Sequence, residues 1–318
     1  MASLHDTFFT DLVLGPNGAW VKGLKGHAAI EPVMDPEMLR ETNALYSICT
    51  ASGNRERREF TVNHKDVIYR ASRLLATSGQ HFVLRKIESS VPDLRQLGLA
   101  KPLVDMLLSP AIKNGLVIVS GATGQGKTTT VSALMKARLE TYGGLALTVE
   151  DPTECPLTGE YRDGMGVCLQ TELEAYDPPV YAQALKDMMR QAPDIIMIGE
   201  IRDADAARQA IQAGLNGHLV LTTMHAGSVI ETIERLAAMV RQATDDTANY
   251  LVAEGLQFVL HQTLRTTVDK QEPRLRTEHL WMGDAPSSPP RAKVRMGQIP
   301  QLSSDIQLQL NRMLMNGH

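Results

Sequence analysis

Near the middle of the chain, Gly121-Ala122-Thr123-Gly124-Gln125-Gly126-Lys127-Thr128 has the spacing GxxxxGK[ST]. These residue types suit a polyphosphate. Glycines let a tight loop wrap an anion with its backbone N–H groups, and a following helix N-terminus adds a favourable dipole. The lysine reaches the β- and γ-phosphates, and the hydroxyl binds Mg²⁺. The flanks agree with this reading. Leu116 to Ser120 is an apolar run without charge that reads as a strand, and Thr128 to Tyr142 reads as a helix stopped by Gly143-Gly144. The alternative is a purely structural glycine turn. By composition alone such an octapeptide arises in on the order of one per cent of chains this long, and the strand–loop–helix context lowers that further. A nucleoside triphosphate site is therefore expected on Gly121, Ala122, Thr123, Gly124, Gln125, Gly126, Lys127, Thr128 and Thr129, with Thr128 on Mg²⁺.

Two further strands end in acids. One runs into Thr148-Val149-Glu150-Asp151-Pro152-Thr153-Glu154 and another into Ile198-Gly199-Glu200-Ile201-Arg202-Asp203. In an open parallel sheet the ligand lies beyond the carboxyl ends of the strands. Carboxylates there hold Mg²⁺ through water or orient an attacking water. Glu150, Glu154 and Glu200 are read that way, whereas Asp203 before Ala-Asp-Ala-Ala reads as a helix N-cap. His218 and His225 flank a fourth strand. Taken alone, a histidine at a strand end is more often a hydrogen-bonded structural residue than a catalytic one, and no further ligand lies near enough in sequence to make the two a metal pair.

These residues need a scaffold, and the chain supplies two textures. At 318 residues, about two domains are expected at roughly 150 residues each. The first ninety residues read as a small mixed α+β domain. It opens with a strand–turn–strand over Asp11 to Gly23, followed by a helix starting at Asp35-Pro36 with an apolar face of Met38, Leu39, Leu45, Tyr46 and Cys49 and ending at Gly53-Asn54. Short strands at 60–62 and 67–70 and a stronger one at 80–87 complete it. Ser89-Ser90-Val91-Pro92 reads as a linker. Beyond it, strands at 116–120, 145–149, 194–198 and 218–223 alternate with helices at 128–142, 180–191 and 203–213. That alternation predicts a mostly parallel sheet with helices on both faces. The tail from Arg274 to Met313 reads as a strand, a proline loop, then Lys293-Val294-Arg295 and a short helix.

Composition narrows the function. Thirty-two basic against 36 acidic residues give a net charge of -4, and the pI is near 6.1. Aromatics are only 4%. A non-specific nucleic-acid coat is usually basic and a single-strand platform aromatic, so direct nucleic-acid binding is not expected. The three cysteines, Cys49, Cys155 and Cys168, form no CxxC pair. They read as buried thiols in a reducing compartment, not as a zinc or disulfide framework. With no leader-like start and no run of about 20 apolar residues, the chain is expected to be cytoplasmic or peripheral to a membrane.

The order of the blocks is informative. Gly-Ala-Thr-Gly-Gln-Gly-Lys-Thr-Thr-Thr is followed by Val-Glu-Asp-Pro-Thr-Glu, then by Met189 through Asp203, then by Ala213 through His225. This resembles the type II/type IV secretion ATPase superfamily, which includes pilus-assembly and PilT-like retraction ATPases, type II secretion motors and conjugative or Dot/Icm-type ATPases. In that superfamily the blocks are Walker A, Asp box, Walker B and His box. Tyr69-Arg70-Ala71-Ser72 and Val83-Leu84-Arg85-Lys86-Ile87 resemble its paired N-terminal-domain arginines. The resemblance covers most of residues 10 to 265.

The resemblance implies a PAS-like N-terminal domain over 1–92 and a RecA-like P-loop NTPase domain over 93–318. It implies an ATPase using ATP and Mg²⁺, with Glu154 activating water, Glu200 acting on Mg²⁺ through water, and His225 sensing the γ-phosphate. Arg70 and Arg85 would reach the nucleotide from the N-terminal domain, as transition-state arginines do in other phosphoryl-transfer enzymes. It further implies a homo-oligomeric ring, a hexamer, driving a pilus or secretion machine through inner-membrane platform or channel proteins. Membrane association would then run through those partners on the cytoplasmic face of a bacterial inner membrane. Departures from the pattern are the missing four-cysteine zinc insertion, the lack of an N-terminal extension that would dock a platform, and no clear Ala-Ile-Arg-type motif near the C-terminus. A RecA-like nucleic-acid translocase and a protein that holds ATP without turnover are the competing readings, opposed respectively by the low charge and by the intact Lys127, Thr128, Glu154 and Glu200.

Overall fold

The computed structural model describes all residues except 1–3, 5–6, 8, 25–29, 52–57, 66, 88–89, 174–176, 245–246, 268–269 and 316–318, and omits the side chains of 265–267, 270–273 and 314. The chain forms two compact units. The first comprises Met1–Ser90 with Asp151–Pro156 and Glu172–Tyr176, and the second comprises the remainder.

Among its described residues, the first unit is an antiparallel sheet with one packed helix. Strands β1 (Asp11–Gly15), β2 (Gly18–Lys22), β3 (Glu31–Pro32), β4 (Glu59–His64), β5 (Val67–Ala76) and β6 (Gly79–Lys86) are ordered β3-β2-β1-β6-β5-β4. The expected hairpin forms, with Gly15 opposite Gly18 across Pro16-Asn17. Helix α1 (Pro36–Thr50) starts as expected. The Asp35 carboxylate accepts from the N–H groups of Glu37 (2.9 Å) and Met38 (3.1 Å), with proline in the first turn, where its missing N–H costs nothing. Met38, Leu45 and Cys49 are buried, and Leu39 and Tyr46 are partly so, against Leu12, Leu14, Phe60, Phe82 and Leu84. Ala51 caps the helix end, and the expected stop at Gly53-Asn54 lies outside the described residues. Strand β5 runs six residues beyond the expected 67–70. Its outer half carries Leu74 and Leu75, both exposed (57% and 73%), so the alternation that marks a half-buried strand is missing there.

Among its described residues the second unit carries eight strands, β7 (Gly115–Ser120), β8 (Gly144–Glu150), β9 (Gly159–Tyr161), β10 (Gly166–Glu172), β11 (Ile195–Ile198), β12 (Leu219–Met224), β13 (Leu256–Thr267) and β14 (Lys270–Trp281). They are ordered β14-β13-β7-β12-β11-β8-β10-β9. The five strands from β13 to β8 are parallel, and the edges end in the antiparallel pairs β13–β14 and β9–β10. Every residue of β7, β11 and β12 is buried, as a sheet covered on both faces requires. The helices are α2 (Lys101–Leu107), α3 (Lys127–Tyr142), α4 (Pro178–Met189), α5 (Ala204–Leu215), α6 (Val229–Thr244), α7 (Ala248–Gly255), α8 (Pro289–Arg295) and α9 (Ser303–Met315). The fold is the α/β, mostly parallel arrangement expected from the alternation.

The tail departs from expectation in one detail. Pro289-Pro290 opens helix α8 and does not belong to a loop, and Lys293-Val294-Arg295 lies inside that helix. Proline at the first helical positions sacrifices no hydrogen bond. Arg291 anchors α8: its guanidinium is buried and donates to the backbone oxygens of Leu256 (3.1 Å) and Glu254 (3.0 Å) and to Gln257 Oε1 (2.6 Å).

Glu41 on α1 is 5% exposed. It accepts from the Leu4 N–H (2.8 Å) and from Lys65 Nζ (2.5 Å). Burial alone would raise its pKa. The bonds from Lys65 and Leu4 outweigh burial and hold it below its ordinary 4.5. A depressed folded-state value means stabilisation that is complete above the unfolded pKa and lost as pH falls through the folded one. Glu41→Gln is therefore expected to melt below the wild type at neutral pH. The gap should close as pH falls below about 4, which thermal unfolding at a series of pH values measures.

Candidate active site

The fully buried strand β7 delivers the loop 121–126, and α3 begins at Lys127. Gly124 and Gly126 both have φ +76, with Gly126 at the N-cap of α3. This left-handed conformation is cheap only without a Cβ. Gly121 is needed for a different reason: a Cβ there would lie 2.5 Å from the backbone oxygen of Gln262 on β13. Lys127 is buried (7% exposed). Its ammonium donates to Ala122 O (2.9 Å) and lies 3.3 Å from His225 Nδ1. Thr128 and Thr129 stand half-buried in the first turn of α3.

His225 follows β12 directly, and Glu200 follows β11 after Gly199. His225 Nε2 lies 3.3 Å from Glu200 Oε1, and Glu200 Oε2 accepts from Arg202 Nε at 3.2 Å. An ammonium has no lone pair to give, so Nδ1 facing Lys127 must act as the acceptor. The hydrogen of a neutral ring is then on Nε2, aimed at Glu200. Lys127, His225 and Glu200 thus form one chain across the carboxyl ends of three neighbouring parallel strands, β7, β12 and β11. A ligand lies at this edge in open α/β sheets.

The remaining candidates separate. Glu154 belongs to the first unit, where its Oε1 accepts from Arg70 NH1 at 2.8 Å. Arg70 NH2 donates to Glu59 at 2.8 Å. Arg70 and Arg85 face each other across β5 and β6, and Arg85 donates to Asp11 Oδ1 through Nε (3.0 Å) and NH2 (2.8 Å). Both arginines therefore already hold carboxylates. Glu150 is 1% exposed and accepts from Thr148 Oγ1 (2.8 Å) and Gln170 Nε2 (2.9 Å), bonds that fix it as part of the sheet's own network. Asp203 caps α5 by accepting from Ala206 N–H (2.8 Å). His218 Nδ1 bonds to the Pro193 carbonyl (2.8 Å), a structural role. Burial pushes the Cys49 and Cys168 thiols up to about 12, which leaves them unreactive.

Type II/IV secretion system proteins match over residues 54–292. The chain belongs to this family. Among its relatives, the type II secretion system protein HxcR of Pseudomonas aeruginosa is 38% identical over 201 residues, 61% of this chain and 39% of that protein. The type IV pilus ATPase PilU of the same organism is 33% identical over 227 residues, 67% of this chain and 56% of that protein. The uncharacterised protein YggR of Escherichia coli is 35% identical over 207 residues, covering 65% and 60% respectively. The chain thus spans 39–60% of the length of these three relatives. The crystal structure of the pilus retraction motor PilT with bound ADP superposes with a TM-score of 0.78 at 24% identity, over 94% of this chain and 86% of that one. The Legionella pneumophila ATPase DotB gives 0.70 at 21% identity, over 92% and 83%. These two likenesses establish the fold as that of the family's RecA-like members.

The site fits a nucleotide with Mg²⁺. The loop's two left-handed glycines and its buried lysine make a phosphate cradle, and no cluster of three or more His, Cys, Asp or Glu side chains suited to a metal occurs among the described residues. Mg²⁺ needs no such cluster, because it is usually held by one or two protein oxygens plus phosphates and water. One participant escaped sequence reading. Gln262 on β13 touches the phosphate loop, and no local motif marks it.

The two kinds of glycine constraint are separable. A Cβ at Gly124 meets nothing within 4 Å, so Gly124→Ala is expected to cost only the left-handed strain, about 1–2 kcal/mol. Gly121→Ala must also displace the β13 backbone and should be the more damaging, by urea unfolding of both variants against the wild type.

Proposed function

We propose that this protein is an ATP-hydrolysing subunit of a ring motor, a homo-hexamer, that powers a type IV pilus or a type II/IV secretion machine. The observation that carries the reading is the Lys127–His225–Glu200 chain at the mouth of a GxxxxGK[ST] loop, in a chain of this family. Residues 1–92 are taken as the PAS-like domain and 93–318 as the ATPase domain. PilU and PilT, named as a pilus ATPase and a pilus retraction motor, support the motor class. The proposed partners are inner-membrane platform or channel proteins, with the motor on the cytoplasmic face. No described helix is long and apolar enough to cross a membrane.

When bound, ATP supplies the bond to be broken and Mg²⁺ neutralises its phosphate charge. Residues 121–129 would hold the phosphates, with the Lys127 ammonium toward the terminal ones, and the Thr128 hydroxyl and, through water, Glu200 would hold the metal. His225 reads the terminal phosphate from beside Lys127 and passes its state to Glu200 through Nε2–H. Glu154 takes a proton from the attacking water. Arg70 and Arg85 stabilise charge on the phosphoryl oxygens. Arg70 and Glu154 neutralise each other at 2.8 Å, so the pair must part before the carboxylate can act as a base and the arginine can face phosphate. Separating and re-forming that pair once per turnover is a two-state element of the kind nucleotide switches use.

Two variants of the full chain test this. Glu154→Gln is expected to bind ATP while phosphate release falls by about 10²-fold or more; wild-type turnover in that variant would overturn the base assignment. Lys127→Ala should lose nucleotide binding itself. Sedimentation velocity with ATP at high protein concentration that finds only monomer would count against the ring.

A further inference from the structure

Strand β13 lies beside β7, with His261 opposite Ser120, so its next residue, Gln262, arrives level with the start of the phosphate loop. The Gln262 side chain is 1% exposed, and its Nε2 donates to the backbone oxygen of Gln125 at 2.6 Å. Two residues further on, the Leu264 N–H donates to the side-chain oxygen of the same Gln125. Gln125 is thus held at both of its carbonyls by one strand, and Gly121 presses on that strand's backbone from the other end of the loop.

Packing alone does not account for this amide. Gln262 Oε1 is buried and has no hydrogen-bond partner among the described residues. A leucine would occupy similar space without stranding an oxygen, which is costly in a dry interior. What the amide adds is its single bond to Gln125. In a trans peptide the C=O of one residue and the N–H of the next point in opposite directions, and the 125–126 peptide is trans. Drawing the Gln125 carbonyl toward the Gln262 amide therefore turns the Gly126 N–H away from that amide. Backbone donors of this type of loop face phosphate.

We propose that Gln262 is a positioning residue for the nucleotide: from β13 it pins the Gln125 peptide so that the Gly126 N–H is preset toward the phosphates. The proposal rests on the reading of residues 121–129 as the nucleotide site. Gln262 touches no reacting atom and acts only through the loop, so its loss weakens nucleotide affinity more than it slows turnover at saturation.

The test uses the full chain, a fluorescent ADP analogue for affinity and phosphate release for turnover. Binding by the wild type and its loss in Lys127→Ala establish the site; if the wild type binds no nucleotide, the site reading fails before the clamp is reached. With the site established, Gln262→Leu should raise Kd and KM about tenfold, the scale of one lost hydrogen bond, with kcat changed less. Gln262→Glu keeps the shape of the side chain and adds a pH signature. A neutral carboxyl donates to the Gln125 carbonyl as the amide does, whereas a carboxylate repels it. Affinity relative to the wild type should thus be near one at low pH and fall as pH rises through the pKa of that buried carboxyl, which desolvation places above the ordinary carboxylate range. Wild-type Kd in both variants, or a ratio flat with pH, would overturn the clamp. Equal losses in kcat and affinity, with no pH dependence in Gln262→Glu, would do so as well, since they mark general damage to the fold.

Discussion

A lysine that is 7% exposed has to find acceptors, because an ammonium stripped of water is costly unless it is bonded. Around Lys127 those acceptors are the Ala122 carbonyl within its own loop and His225 at the end of the next strand. The bond to Ala122 curls the loop back over its helix. The contact with His225 decides which ring nitrogen carries hydrogen, and hence what Glu200 on the strand beyond receives. One buried charge therefore sets the loop's shape, a tautomer and the carboxylate's partner. All of this depends on β7, β12 and β11 ending side by side, which their parallel registers secure.

The two units meet different demands. The second unit's strands are buried on both faces and read as continuous apolar runs, since a parallel sheet needs helices over each side. Among the described residues the first unit packs a single helix, and its sheet carries charge in the middle of its strands. Arg70 and Arg85 sit directly opposite one another on β5 and β6. Like charges in facing positions repel, and each is answered by a carboxylate from elsewhere, Glu59 and Glu154 for one and Asp11 for the other. The unit thus tolerates two adjacent cations because three acids come to them.

How much was legible in the sequence follows from the range of each interaction. The phosphate loop, its flanking strand and helix, the caps at Asp35 and Asp203, and the fully apolar strands are local, and the structure shows them where the pattern places them. Features built from pairing across the chain were not legible. β9 is only three residues long, and β10 ends in the polar run Gln170-Thr171-Glu172. Strand β13 carries a polar stretch in which Gln262 has no motif to mark it, and only the register of β13 on β7 brings it beside Gly121. Glu150 shows the same dependence on range. At a strand end it looks like a ligand, and Gln170, twenty residues away and on β10, donates to its carboxylate. The arginine pair became visible only through resemblance, and nothing local announced Asp11 or Glu59 as partners.

The same difference in range separates what the site can keep fixed from what it can exchange. Gly121 is packed against backbone and Gln125 is held through both carbonyls, so the phosphate loop has little freedom to adapt to its ligand. Its donors are set in advance, which lowers the ordering cost of binding. The Arg70–Glu154 pair is of another kind. Both side chains are partly exposed (31% and 41%), and an ion pair in reach of water is worth little, so parting it costs little. A rigid cradle with an inexpensive ion pair between acid and arginine suits a cyclic device. Under the proposed motor function, the cradle would keep the same grip at every turnover and the weak pair would be the element that opens and closes.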